Sequence, residues 1–405
     1  MTDHLYYHDS FLYEFDAEVR TIEMLGSRPA IVLDRTAFYP TSGGQVFDTG
    51  WIIFGENKIP ITEVTEKDDG TILHFVELPP KLESGSKIHG LVDSNRRRDH
   101  MQQHSGQHVL SAAFIHLFSM PTVSFHMGDE SCSIDLDTKA LTGDQIEKAE
   151  SLANDVIAQN RPVVVRFVTQ QEAQGLGLRK IPPVERDKLR LIDIQDFDLT
   201  ACGGTHVSST GQIGSILLRK AEKVRQGFRA EFVCGKRAVA TARRDYMTLA
   251  ESAALFSSHL WDVPQQVRKS QDEARASRKS GEHVLAELAD LHAQRLLAET
   301  PETNGRKVIV AKFPDRDLTF IKLLAQKITR LSSNALALLA ATSDSPALVF
   351  AQSQGQPFDM SALMKESLSK LGGRGGGSKH MAQGGPTQSQ DLESTLRALA
   401  ASLSQ

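Results

Sequence analysis

At 405 residues, with 40% hydrophobic and 24% charged residues, the chain is long enough for two or three domains with hydrophobic cores, and its composition excludes a disordered or fibrous protein. A net charge of −4 argues against a chain that is basic throughout, and three cysteines are too few for a disulfide framework. The longest apolar run, ALALLAA at 335–341, is too short to span a bilayer, and the opening MTDHLYYHDS has no signal-peptide pattern, which places the protein in the cytoplasm and off the membrane. In chain order, residues 1–92 read as β-rich. Alternating runs at 17–25, 30–39, 51–55 and 72–78, separated by Gly, Asn and Asp turns, predict an N-terminal β-barrel-like subdomain with a Gly/Pro/Thr-rich loop inside RTAFYPTSGGQVFDTG. Residues 93–245 predict an α+β domain, with helices at 96–119 and 143–160 and strands in VVVRFVT, LRLIDI, GSILLRKAEKV and FRAEFVCG. A helical arm at 246–300 follows. Residues 301–405 read as a small α/β domain with a glycine-rich tail, GGRGGGSKHMAQGG, and a last helix whose Leu392, Leu396, Leu399 and Leu403 share a face. The fold class expected is α+β.

Two short motifs carry the chemistry. His104 and His108 stand four apart in a helical pattern, so their imidazoles point the same way. Cys202 and His206 bracket two glycines in CGGTH. Together they make a Cys/His₃ set suited to one tetrahedral zinc ion per chain. The plainer reading makes the histidine pair a solvated face and Cys202 a small buried hydrophobe; the two half-sites together favour the metal. Four protein ligands close a tetrahedral ion, as in structural sites, whereas a hydrolytic zinc keeps a position open. Basic clusters flank both half-sites: NRRRDH, with Arg96 and Arg97, and a stretch from 219 to 245 with nine Lys/Arg against three acids, including Arg225 and Arg229. These four arginines are candidate contacts to a phosphate backbone. GGQ at 43–45 reads as a tight turn, and GGRGGGSK lacks the order of a phosphate-binding loop.

The order and separation of RTAFYPTSGGQVFDTG, HSGQH, CGGTH and GGRGGGSKHMAQGG resemble the editing half of alanyl-tRNA synthetase. They resemble more closely the free-standing alanyl-tRNA editing proteins called AlaX, in their long form. The resemblance covers nearly the whole chain. It implies a zinc-dependent editing domain and hydrolysis of tRNA(Ala) mischarged with serine or glycine, acting in trans with no aminoacylation domain ahead of it. It makes His104, His108, Cys202 and His206 the zinc ligands and brings the Thr36 hydroxyl near the bound amino acid, with Gly203 beside it. Serine is larger than alanine and glycine smaller, so a hydrogen-bonding site must do what a size sieve cannot. Zinc would polarise the carbonyl, bind the amino group or activate water. Asp99, Gln107 and His126 are candidate bases, and none is assigned. The C-terminal region would hold tRNA or form a homodimer. A catalytically silent tRNA-binding paralogue with structural zinc is the alternative. A phosphoesterase of the DHH family, which carries a similar glycine-rich tail domain, lacks its Asp-His-His motif here.

Overall fold

The structure is a computed structural model that describes residues 2–77, 82–176, 178, 188–342, 345–387 and 391–405. It mixes helices with several sheets, and the chain divides into two units, 1–251 and 252–405. Leu78, the end of one expected strand, lies outside the described residues.

In the first unit, β1 (Asp3–His4) pairs in parallel with β4 (Arg35–Thr36). A seven-stranded sheet is built from β2 (Glu14–Leu25), β3 (Arg28–Leu33), β5 (Gly50–Phe54), β6 (Asn57–Ile61), β7 (Glu63–Glu66), β8 (Ile72–Phe75) and β9 (Lys87–Val92), in the order β6-β5-β9-β2-β3-β8-β7. Strands β6 and β7 stand at opposite edges, yet only Thr62 separates them in sequence. In a flat sheet those edges would be about 29 Å apart, six strand spacings. The sheet therefore curls until its edges meet, around a core that includes Phe15, Val19, Ile31, Phe38, Ile52 and Ile72.

Helix α1 (Ser94–Phe118) starts where the Asp93 carboxylate accepts the N–H groups of Asn95 and Arg96, and it ends at Ser119 in the left-handed region. It is buried on several faces, with Met101, Val109, Leu110 and Phe114 in the core and both histidines among them. Strands β10 (Thr122–Met127) and β11 (Cys132–Leu136) follow, then α2 (Gly143–Ala158), opened by a reciprocal Thr142–Gln145 cap. Next come β12 (Val163–Val168), α3 (Gln170–Gln174), β13 (Leu189–Ile194) and β14 (Asp198–Ala201), then β15 (Ile216–Val224) and β16 (Gly227–Cys234). They form two antiparallel sheets, β12-β13-β14 and β10-β11-β16-β15. Alternation along β14 sends Asp198, Thr200 and, one step beyond the strand, Cys202 to one face. Ile192 and Ile194 on that same face enter the core that also buries Val109, Phe114 and Phe232. Each such side chain contributes about 1.5–3 kcal/mol. Helix α4 (Gly235–Leu255) continues directly from β16.

In the second unit, α5 (Val263–Glu299) leads to β17 (Lys307–Phe313), α6 (Leu318–Leu331), β18 (Ala335–Ala341), β19 (Ala347–Gln352), α7 (Met360–Leu371), β20 (Arg374–Gly377), β21 (Met381–Gly385) and α8 (Leu392–Leu403). The sheet runs β17-β18-β19-β21-β20. Helices α5 and α6 cover one face, α7 and α8 the other. All of ALALLAA in β18 is buried, as expected of a strand covered on both sides. The glycine-rich stretch is an ordered hairpin, β20–β21, and not a linker. No helix among the described residues is long and apolar enough to cross a membrane.

Candidate metal centre

The four side chains singled out in the sequence meet. One ligand atom from each of His104, His108, Cys202 and His206 lies within 4.8 Å of the others, a group able to hold a metal ion. His104 Nε2 and His206 Nε2 lie 3.4 and 3.3 Å from Cys202 Sγ. The opposite ring nitrogens are each met by a separate partner. Gln45 Oε1 is 2.7 Å from His104 Nδ1, Ser105 Oγ is 3.1 Å from His206 Nδ1, and Asp198 Oδ2 is 3.4 Å from His108 Nδ1. With acceptors on the outer nitrogens, the inner ones present lone pairs to an ion. Burial alone would raise the Cys202 thiol, but the electrostatic influence of His104 and His206 and hydrogen bonds with His104 and His108 hold it well below its usual value. The Gly204 N–H also donates to the sulfur, at 3.4 Å.

Local sequence explains the approach of the parts. Gly106 packs α1 onto β16, since a Cβ there would run into Cys234 Sγ. A Cβ on Gly204 would run into the His104 ring, so the second glycine of CGGTH lets the loop close over the histidine helix. Buried Arg190 holds that loop from behind, its Nη1 donating to the carbonyls of Cys202 (2.7 Å) and Gly204 (2.9 Å). From the curled sheet comes the loop 37–49. Gln45, fully buried, accepts the Thr205 N–H and donates to its hydroxyl. GGQ does form the expected turn, where Ser42 and Gln45 pair, but its glutamine also reaches the metal group. Phe125 stacks against the His104 ring at 5.4 Å. The three imidazoles are buried, and Cys202 is half-buried beside exposed Gly203, so the CGGTH loop is where the centre comes nearest the surface.

Several candidates fall elsewhere. Arg97 has no accessible surface: it pairs with equally buried Asp48 and donates to the carbonyls of Ser10 and Ala37, so it fastens the loop and touches no RNA. Arg96 Nε donates to the Phe47 carbonyl. Arg229 is held two-pronged by Asp135, while Arg225 is exposed at the turn between β15 and β16. Five of the nine basic residues in 219–245 are ion-paired. Three of those partners, Asp99, Glu130 and Asp135, lie outside the window, which cuts the positive excess read there from six to three. Thr36 is fully buried; its hydroxyl bonds to His74 Nε2 (2.8 Å) and accepts the Phe38 N–H (3.1 Å), so it is not open to a bound ester. Among the candidate bases, Asp99 is clamped by Arg237 and Gln107 turns to Ser111. His126 follows Phe125 in an extended strand, so its side chain points away from the metal group. Sequence reading missed Gln45, Ser105, Asp198 and Arg190 as supports. The alternation 198, 200, 202 was the available signal for Asp198.

Comparison with known proteins follows the same division. Residues 189–229, which hold Cys202 and His206, match the threonyl and alanyl tRNA synthetase second additional domain; residues 7–96 match tRNA synthetases class II (A), and 305–405 match the DHHA1 domain. The chain is thus built of modules shared with class II synthetases. It is 30% identical over 95% of its length to alanyl-tRNA editing protein AlaX-L of Pyrococcus horikoshii, of which it covers 94%. It is 33% identical to the alanine–tRNA ligase of Archaeoglobus fulgidus and 30% to that of Pyrococcus furiosus, covering 43% of each. The chain belongs to the family of alanyl-tRNA editing proteins typified by AlaX-L.

Proposed function

We propose that the chain is a zinc-dependent hydrolase that removes serine, or glycine, from mischarged tRNA(Ala). The observation that carries this reading is the convergence of three imidazoles, each met on its outer nitrogen, on one cysteine sulfur beneath the exposed Gly203 of the CGGTH loop. The donor set fits zinc: bonds of about 2.3 Å to sulfur and 2.0 Å to nitrogen give a tetrahedral N···S edge of about 3.5 Å, against separations of 3.3 and 3.4 Å here. A bound zinc ion would act as a Lewis acid towards an ester or a water molecule. The chain's own residues prepare the site. Gln45, Ser105 and Asp198 orient the rings, Gly204 N–H steadies the sulfur, and Phe125 shields His104 from water.

The test is deacylation of Ser-, Gly- and Ala-tRNA(Ala) side by side, with zinc-loaded and chelator-treated protein. Hydrolysis of the seryl or glycyl ester, sparing the alanyl ester and lost with the metal, is expected. Zinc-loaded protein that binds tRNA and hydrolyses no ester would favour the second reading, a tRNA-binding paralogue. One feature favours that reading: four protein ligands fill a tetrahedral ion. In this reading exposed Arg225 meets the tRNA backbone, and the C-terminal unit holds tRNA or joins two copies of the chain.

A further inference from the structure

One row of side chains runs outward from the metal group across the three-stranded sheet. Phe167 on β12 is the register partner of Arg190 on β13. Cys202, just past β14, donates its N–H to the Arg190 carbonyl at 3.2 Å. Opposed residues of antiparallel strands share a face, so Phe167, Arg190 and Cys202 form a lateral row about 10 Å long, two strand spacings. The N-terminal segment lies over it. Arg190 Nε donates to the Tyr7 carbonyl at 3.0 Å, and its guanidinium sits 5.5 Å from the centre of the Tyr7 ring. The His8 ring lies 5.3 Å from that of Phe167, tilted by 34°. At the inner end Tyr7 borders Gly203, where an added Cβ would sit 3.5 Å from the phenol oxygen.

The row is most exposed at its outer end. Arg190 is buried, and its Nη2 has no partner among the described residues. Phe167 is 40% exposed and His8 is exposed. Single exposed aromatics need no explanation. Here two of them pair at the end of a row that begins on a metal ligand, with a buried arginine between.

We propose that Phe167 and His8 seat the terminal base of the RNA whose ester is held at the Cys202 end, with Arg190 a positioning residue that ties Tyr7 to the metal loop. This rests on the reading of the chain as an aminoacyl-tRNA hydrolase. The ester and the last base are carried by the same ribose, so a base seat must lie within about one nucleotide of the metal group, and the outer end of the row does. Stacking on aromatic rings tolerates any base and is worth about ten- to hundredfold in affinity per base. Such a seat suits an end common to every tRNA and leaves discrimination to the amino-acid side.

Phe167→Ala should raise KM for seryl-tRNA(Ala) about tenfold or more while kcat stays within about twofold, and Phe167→Trp should restore it. Wild-type protein should lose the same factor on substrate whose terminal nucleotide lacks its base, and Phe167→Ala should lose nothing further on that substrate. Penalties that multiply, or an unchanged KM, would overturn the proposal. His8→Ala, at an exposed position, gives a second reading should Phe167→Ala melt early. Wild-type protein inactive on every aminoacyl ester would instead sink the hydrolase reading. In that case tRNA carrying 2-aminopurine at its terminal position still tests the seat: quenching by wild type and not by Phe167→Ala supports it, and equal quenching refutes it.

Discussion

Asp198 keeps a carboxylate oxygen 3.4 Å from His108 Nδ1, and that contact governs where protons sit before an ion arrives. Burial pulls His108 down, but Asp198 and the Cys202 sulfur more than reverse it, to about 9. Cys202 is held well below its usual value, and burial holds His206 down to about 3. Near neutrality His108 therefore keeps a proton that an incoming ion must displace. Zinc affinity should rise about tenfold per pH unit up to about pH 9 and flatten above it, because below the raised value a proton competes for the ring. Calorimetry at about pH 7.5 in buffers of different ionisation enthalpy should count that proton among those released; binding that releases none would contradict the raised His108. Asp198→Asn should lower that count and weaken zinc about 10–100-fold. Arg97 and Arg225 separate fastening from RNA contact. Arg97→Ala leaves Asp48 as a buried unpaired charge and should cost about 3–5 kcal/mol, read as a large fall in Tm. Arg225→Ala should leave Tm unchanged and flatten the log–log salt slope of tRNA binding by about 0.7–0.9 if the residue meets a phosphate. Both arginines sit in basic stretches of sequence. Only the partners of Arg97, distant in the chain, tell them apart.

Helix and strand periodicity carried well where one element makes its own pattern. The histidine helix, α2 and the strands β12, β13, β15 and β16 fall close to where alternation and 3.6-residue spacing put them. Periodicity placed no strand where glycine stands for packing. GGRGGGSKHMAQGG reads only as a glycine-rich tail because its residues have no side chains to alternate, yet it forms β20 and β21 against α7. An added Cβ at Gly375 would sit 2.6 Å from Leu368 Cδ1 and 2.6 Å from the Gln383 carbonyl oxygen, whereas one at Gly376 meets nothing within 4 Å. Gly375→Ala should therefore destabilise the second unit by about 1–3 kcal/mol, with Gly376→Ala close to neutral. Equal melting temperatures for the two variants would contradict the packing. Helix α4 was legible only in its second half. Its first eleven residues read as a basic cluster because Arg237, Arg243 and Arg244 mask the helical pattern.

At the scale of the whole molecule, the metal ligands and their supports all fall in residues 1–251, and none in the second unit. A chain ending at Ser258, after α4 is complete, should hold one zinc ion with kcat little changed. If the C-terminal unit adds phosphate contacts, KM should rise and the salt slope flatten; if it joins two copies, the hydrodynamic mass should fall and the slope stay. Unchanged KM, slope and mass would refute both roles. The four ligands were legible because two short spacings, His-x₃-His and Cys-x₃-His, each survive within one local element. Their supports were not, because each joins residues that only the fold brings together. That same separation sets a clock. His104 and Cys202 stand 98 residues apart, and Gln45 and Thr205 stand 160 apart. At a synthesis rate of about 5–20 residues per second, the histidine pair waits roughly 5–20 s for its sulfur. During that interval the nascent chain carries a two-nitrogen chelate open to any divalent ion. In the proposed metal centre, the sulfur that would exclude ions preferring harder donors joins the histidines only after residue 206 has emerged from the ribosome.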